Sequence, residues 1–245
     1  MGFVGERNPV TGSYEVPNID INYGLGHRIQ LKYEVPLSIQ EMRGDDAHVA
    51  AGLGNSLLGL KYRFYARHPK AETRDAAGER ESTFGLSVYP QLMLNNPTRS
   101  VAREIAEPGP QLLLPLEAST KIGPIRISGE VGYWFTTKDV PHSWIRGVIF
   151  GHEFRKDTEL YLELYDQRDV TGIDGKPNAR ESTLGIGGRS PIARSGSLRL
   201  IGMAGRSLVT ASPTNGQPSW IAYLGIQFLS ARQRRHSSDF MEAAK

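Results

Sequence analysis

The residues that could do chemistry here are few. Six histidines are spread over the chain, at His27, His48, His68, His142, His152 and His236. A hydrolytic site would need one of them converging with a Ser and a carboxylate or amide. Most fall in turns, loops or the tail, and in an extended segment His152 and Glu153 point to opposite faces. Solvated surface imidazoles are the simpler reading, so we expect no catalytic residues and no enzyme. The stretch 166–175, DQRDVTGIDG, carries three Asp but not the EF-hand spacing, and reads as a plain polar loop. Gly185–Gly188 (GIGG) is followed by no helix, so it is no phosphate loop. With no Cys there is no disulfide, thiolate metal site or Cys nucleophile. Neither a cofactor nor a metal is expected.

What remains is a set of charges at every second position. In 29–39, IQLKYEVPLSI, the apolar residues Ile29, Leu31, Tyr33, Val35, Leu37 and Ile39 alternate with Gln30, Lys32, Glu34 and Ser38. Such alternation predicts a β-strand with one apolar and one polar face. It recurs at 18–25, 57–66, 83–94, 111–119, 125–135, 144–154 and 158–166, and more weakly at 183–189, 197–208 and 220–229. These are about eleven strands of about ten residues. Soluble strands average about 5–6 residues, whereas barrel strands that cross a membrane need about 9–11.

A membrane barrel turns the apolar stripe to lipid and keeps the charges inside; a soluble, lipocalin-like barrel does the reverse. Mean hydropathy is −0.38, and no apolar run approaches the roughly 20 residues of a spanning helix. Neither fact excludes a barrel of half-polar strands. The connections alternate in length. Short turns are expected at 26–28, 120–124, 155–157 and 192–196, and longer polar loops at 41–55, 95–109, 167–182 and 209–219; the long 67–82 is the exception. On the apolar face, Tyr23, Phe64, Phe84, Phe154 and Phe228 fall at short-turn ends. Tyr133, Phe135, Trp144 and Trp220 fall at long-loop ends, as two aromatic girdles would. Pro36, Pro90 and Pro115 lie inside strands and must mark bulges or kinks. Basic and acidic residues, 29 and 26, are mixed along the chain, so no nucleic-acid partner is expected.

The runs NYGLGHRIQLKYEVPL, GLGNSLLGLKYRF, VYPQLMLNNPT and LLLPLEASTKIGP resemble the bacterial outer-membrane proteins named for the meta-pathway of phenol degradation, often called transporter-like. The similarity is strong over about 15–135 and weaker, mainly strand rhythm, to about 229. It implies an exported barrel in a Gram-negative outer membrane, with lipid and possible small organic, even aromatic, solutes as partners. Members of that family start earlier than this chain, with a signal peptide and one more strand. MGFVGER is no signal peptide and would be the end of that strand. The expectation is therefore an all-β, antiparallel, up-and-down transmembrane β-barrel of about 12 strands, about 11 of them complete, with the first truncated. Residues 18–25 and 220–229 would lack a full partner on one side unless residues 1–7 cover the gap. The DNA upstream of Met1 tests this.

Residues 1–229 form the barrel domain and 230–245 a polar tail. The inward face is expected to carry Lys32, Glu34, Lys61, Arg63, Arg126, Glu130, Glu159, Glu163 and Arg199, with Tyr65, Tyr89, Trp134, Tyr161, Tyr165 and Tyr223 as its aromatics. Such a wall suits a narrow channel. It also suits a salt-bridged plug in a closed structural or assembly barrel, and about twelve strands lies between the filled and open cases.

Overall fold

The computed structural model describes residues 1–44, 47–68, 83–137, 140–155, 157–170, 179–193, 197–211 and 218–229. All regular structure among them is β. The segments are β1 (Gly2–Arg7), β2 (Thr11–Leu25), β3 (Ile29–Met42), β4 (His48–Leu53), β5 (Ser56–Arg67), β6 (Phe84–Val88) and β7 (Gln91–Leu94). They continue as β8 (Gln111–Ile122), β9 (Ile125–Phe135), β10 (Ser143–Arg155), β11 (Thr158–Asp169), β12 (Arg180–Pro191), β13 (Leu198–Ala211) and β14 (Trp220–Phe228). Neighbours pair antiparallel, and β1 pairs with β14, so the sheet closes. β4 pairs with Leu37–Met42 of β3 and β5 with Ile29–Glu34, so β4 and β5 form one interrupted strand. β6 and β7 do the same against β5 and β8. Fourteen segments thus build a twelve-stranded barrel.

The packing is inside out. Among the described hydrophobic residues only Ile105, Leu113 and Ile145 are buried. Leu160, Leu162 and Leu164 are 52%, 42% and 41% exposed on the outer wall, while Glu159, one residue out of phase, is 7% exposed inside. A soluble barrel would bury the leucines. A wall with this polarity has its low free energy in hydrocarbon, where strands that close on themselves leave no unpaired edge.

The interior prolines gather at the interruptions. Gly54 N–H donates to Pro36 O, and Tyr89 N–H donates to Pro115 O. In an antiparallel strand a residue's N and O point to the same neighbour. The missing N–H of Pro36 therefore faces the β4–β5 break, and that of Pro115 faces the β6–β7 break, where no ladder bond is lost. Pro90 sits in that second break and accepts from Leu60 N–H. The kinks expected from sequence are thus two local breaks in one part of the wall.

One sequence expectation needs correction. The stretch 41–55 is not all loop: β3 runs to Met42 and His48–Leu53 forms β4, with Val49, Ala51 and Leu53 outward. Small residues and a short run hid that strand. Residues 1–7 cover part of the expected gap as a short first strand: Gly2–Arg7 pairs with all of Trp220–Gly225 and Met1 exchanges hydrogen bonds with Ile226. The expected gap survives only in part, since β1 pairs with β2 no further than Asn18. Residues 19–25 have no partner on that side.

Candidate functional site

The turns fix which way each strand's charges point. Gly26 and Gly123 adopt φ of 64° and 59° at tight reversals, a backbone region that costs other residues a Cβ clash. The end bearing them is called the turn end, and the end bearing 95–110 and 136–142 the loop end. From these turns the strict period of two carries the nine predicted charges Lys32, Glu34, Lys61, Arg63, Arg126, Glu130, Glu159, Glu163 and Arg199 onto the inner wall, where none exceeds half exposure.

Those charges are not spread evenly. Toward the turn end they are paired. Glu159 lies 2.7 Å from Arg189 and 3.7 Å from Arg126. Arg199 meets Asp157 at 3.0 Å, and Lys121 meets Glu153 at 2.8 Å. Arg63 donates to the carbonyl of His27. At mid-height Lys32 bridges Glu34 at 2.6 Å and Asp20 at 3.5 Å, and Lys61 pairs with Glu117 while lying 5.6 Å from the Tyr89 ring centre. Also near mid-height, Glu130, directly opposite Glu117 in the β8–β9 register, and Glu163 have no cation within ion-pair distance among the described residues. Nearer the loop end the wall carries Glu15 and Glu181, held by neutral donors: Asn18 reaches Glu15 at 2.7 Å and Ser207 reaches Glu181 at 2.7 Å. On the described strands the inner wall therefore passes from acidic at the loop end to arginine-rich and paired at the turn end.

Glycine makes room for this lining. A Cβ at Gly187 would strike the Tyr161 ring, and one at Gly151 the Glu159 carboxylate. Gly185 and Gly187 of the GIGG run are inward positions against Met203 and Tyr161. Large inward side chains lie across neighbouring glycines, as in engineered barrels.

The loop end is partly filled. Residues 95–110 are tied to the first break: Asn96 donates to Gly54 O at 2.6 Å, and Asn55 exchanges hydrogen bonds with Glu107 at 3.0 and 2.9 Å. Ile105, 4% exposed, lies against Gly52. The inward Leu113, Trp134 and Ser143 stand side by side in register, with Ile145 beside them. Sequence reasoning took this segment as polar loop; its single Ile gave no periodic signal.

The predicted girdle aromatics all point outward. Tyr23, Phe154 and Phe228 are exposed at the turn end, with Phe64 and Phe84. Tyr133, Phe135, Trp144 and Trp220 stand at the loop end, Tyr133 being 4.8 Å from Phe135 and 4.9 Å from Trp144. Phe3, Tyr14 and Phe150, not foreseen, are also outward. Tyr65 is a correction: it was assigned inward, but a bulge after Arg63 pairs it with Leu86 on the outer face, 50% exposed and 5.9 Å from Phe84. His152 is outward, its ring centre 4.4 Å from that of Phe154. Among the described residues no group of three or more His, Asp or Glu could hold a metal. Asp174 and the tail 230–245 lie outside the described residues.

No protein-family profile matches the chain, and no curated protein does. Solved structures do. The COG4313 outer membrane channel from Pseudomonas putida F1 superposes with a TM-score of 0.62 at 15% identity, covering 92% of this chain and 94% of that one. The NanC porin gives 0.60 at 6% identity, covering 93% and 98%. The KdgM porin gives 0.53 at 8% identity, covering 91% and 95%. At such identities the likeness concerns the fold, which is that of outer-membrane channels and porins.

Proposed function

We propose that this chain is an outer-membrane channel that passes small organic solutes through a narrow, charged lumen. The carrying observation is the inner wall: its charged side chains range from 8% exposed at Glu159 and 10% at Arg199 to 36% at Lys61 and 41% at Arg126, so water reaches most but not all of them. The apolar outer wall supports the membrane setting, and the shared architecture of channels and porins supports the role. Aromatic compounds as cargo rest on the sequence resemblance to the phenol meta-pathway outer-membrane proteins, and the inward, partly exposed Trp134 offers such a solute an aromatic face. Planar-bilayer conductance and liposome swelling on the full-length protein test this. The reading requires discrete currents and solute-dependent swelling. Silence in both assays leaves the second reading, a closed structural barrel, which the buried Ile105 and the tied-down segment 95–110 favour.

A further inference from the structure

The outer wall carries a second charge pattern. At the loop end Arg7, Arg146, Arg168, Arg180 and Arg206 are exposed on the lipid-side parity, in phase with Trp144 and Trp220. They occupy a continuous arc, β10–β14 and β1. The opposite arc, at the same end, presents Leu37, Val49, Leu53 and Leu114. At the turn end the arginine arc itself presents Phe154, Leu160, Leu200 and Phe228. Arginine on a lipid-facing position costs about 2–4 kcal/mol at the bilayer midplane and about 0–1 at the interface. The arginines therefore mark headgroup height.

Their local partners leave positive charge over. The Asp166 carboxylate takes both Arg146 at 2.7 Å and Arg180 at 3.0 Å, plus Ser182 Oγ at 2.6 Å. Arg168 stands directly opposite Arg180 in the β11–β12 register and has no acidic partner among the described residues. Like charges facing each other across two strands are destabilising unless an anion lies between them. Arg206 and Arg7 flank Trp220 in one cross-strand row, Arg206 5.2 Å from its ring centre. On the other side of β12, across β10 and β11, a recess of about 490 Å³ is lined by Trp144, Arg146, Arg168, Asp169 and Val170. Asp169 is the one carboxylate in that lining, and it accepts the Ala179 N–H at 3.3 Å.

We propose that this arc binds the phosphate groups of a phosphorylated glycolipid in the outer leaflet, with Arg168 and Arg180 clamping one phosphate beside the Trp144 recess. Guanidinium forks match phosphate oxygens in bidentate geometry, and the flanking Trp rings suit the headgroup boundary. The proposal rests on the outer-membrane reading but not on conduction.

The test is retention of lipid A by the full-length protein in detergent, read by native mass spectrometry, against the same lipid with its phosphates removed. Wild type should hold the bisphosphorylated lipid at least tenfold more tightly than the dephosphorylated one. R146Q/R168Q/R180Q should abolish that preference, and R67Q, at the turn end, should keep it. Because Asp166 loses its two arginines in the triple variant, R168Q alone is the safeguard: it breaks no ion pair among the described residues and should weaken retention severalfold. Equal binding of both lipids, or undiminished retention by R168Q and the triple variant, overturns the proposal. A protein that retains phosphorylated lipid yet conducts nothing would refute only the channel.

Discussion

The two halves of the lumen are built from the same strands and differ in how their charges are treated. In the turn-end half the described carboxylates have an arginine or lysine beside them: Glu159 with Arg189 and Arg126, Asp157 with Arg199, Glu153 with Lys121. From mid-height toward the loop end Glu130 and Glu163 stand without ion pairs among the described residues, and nearer the loop end Glu15 and Glu181 are held by neutral donors. Paired charge braces a wall and makes little net field. Unpaired charge of one sign does little bracing but sets a potential in a space walled by low-dielectric protein. The lumen is thus mechanical at one end and electrostatic at the other.

Removing one carboxylate from each half should expose the contrast most strongly. The Glu159 side chain is 8% exposed and holds two arginines, so Glu159→Ala strands two partly exposed guanidiniums and should cost about 3 kcal/mol, at the low end for breaking a buried pair because both arginines reach solvent in part. Glu163→Ala removes a charge with no partner and should leave stability within about 0.5 kcal/mol. Urea unfolding in lipid vesicles, followed by Trp fluorescence, measures both. Equal losses would show that the halves are braced alike.

Gly151→Ala sharpens the same point without touching a charge. Its Cβ would collide with the Glu159 carboxylate and push it off Arg189. A loss of about 1–3 kcal/mol is expected, in the range of overpacking a well-filled site. Gly147 lies near Glu130, whose unpaired side chain is free to move, and Gly147→Ala should cost clearly less in the same unfolding assay.

How much of this was legible beforehand follows from period. A strand's two faces are fixed by alternation, so every predicted lumen charge and girdle aromatic could be assigned a side, and the long clean strands β3, β9 and β11 set the architecture. Tyr65 failed because one bulged residue reverses the parity beyond it, and no residue type announces a bulge there. β4 was missed because Ala50, Ala51 and Gly52 carry too little contrast to alternate visibly. The short β1 was read as a strand's end, but its pairing with β14 depends on contacts more than 200 residues apart. The axial division of charge was invisible for another reason: height in a barrel depends on the register between strands, and periodicity within one strand contains no register.

The smallest effect we predict is also the one that asks directly whether the acids without ion pairs act on cargo. Cations should be enriched where Glu130 and Glu163 face water and depleted at the arginines below. Wild type should then favour K⁺ over Cl⁻ when the loop end faces the dilute side of a salt gradient. Glu130→Gln with Glu163→Gln removes two mid-strand charges that have no ion pair among the described residues, while leaving the described turn-end ion pairs intact. The reversal potential should move toward zero, a change of about threefold in the permeability ratio, or about 0.7 kcal/mol. Two controls separate field from shape. Raising salt to 1 M shortens the screening length to about 3 Å and should erase the difference between variant and wild type. Arg126→Gln, in the paired half, leaves Arg189 beside Glu159 and should move the reversal potential less than the double variant. If Arg126→Gln moves it more, the selecting charge sits at the turn end, and the division of labour is inverted.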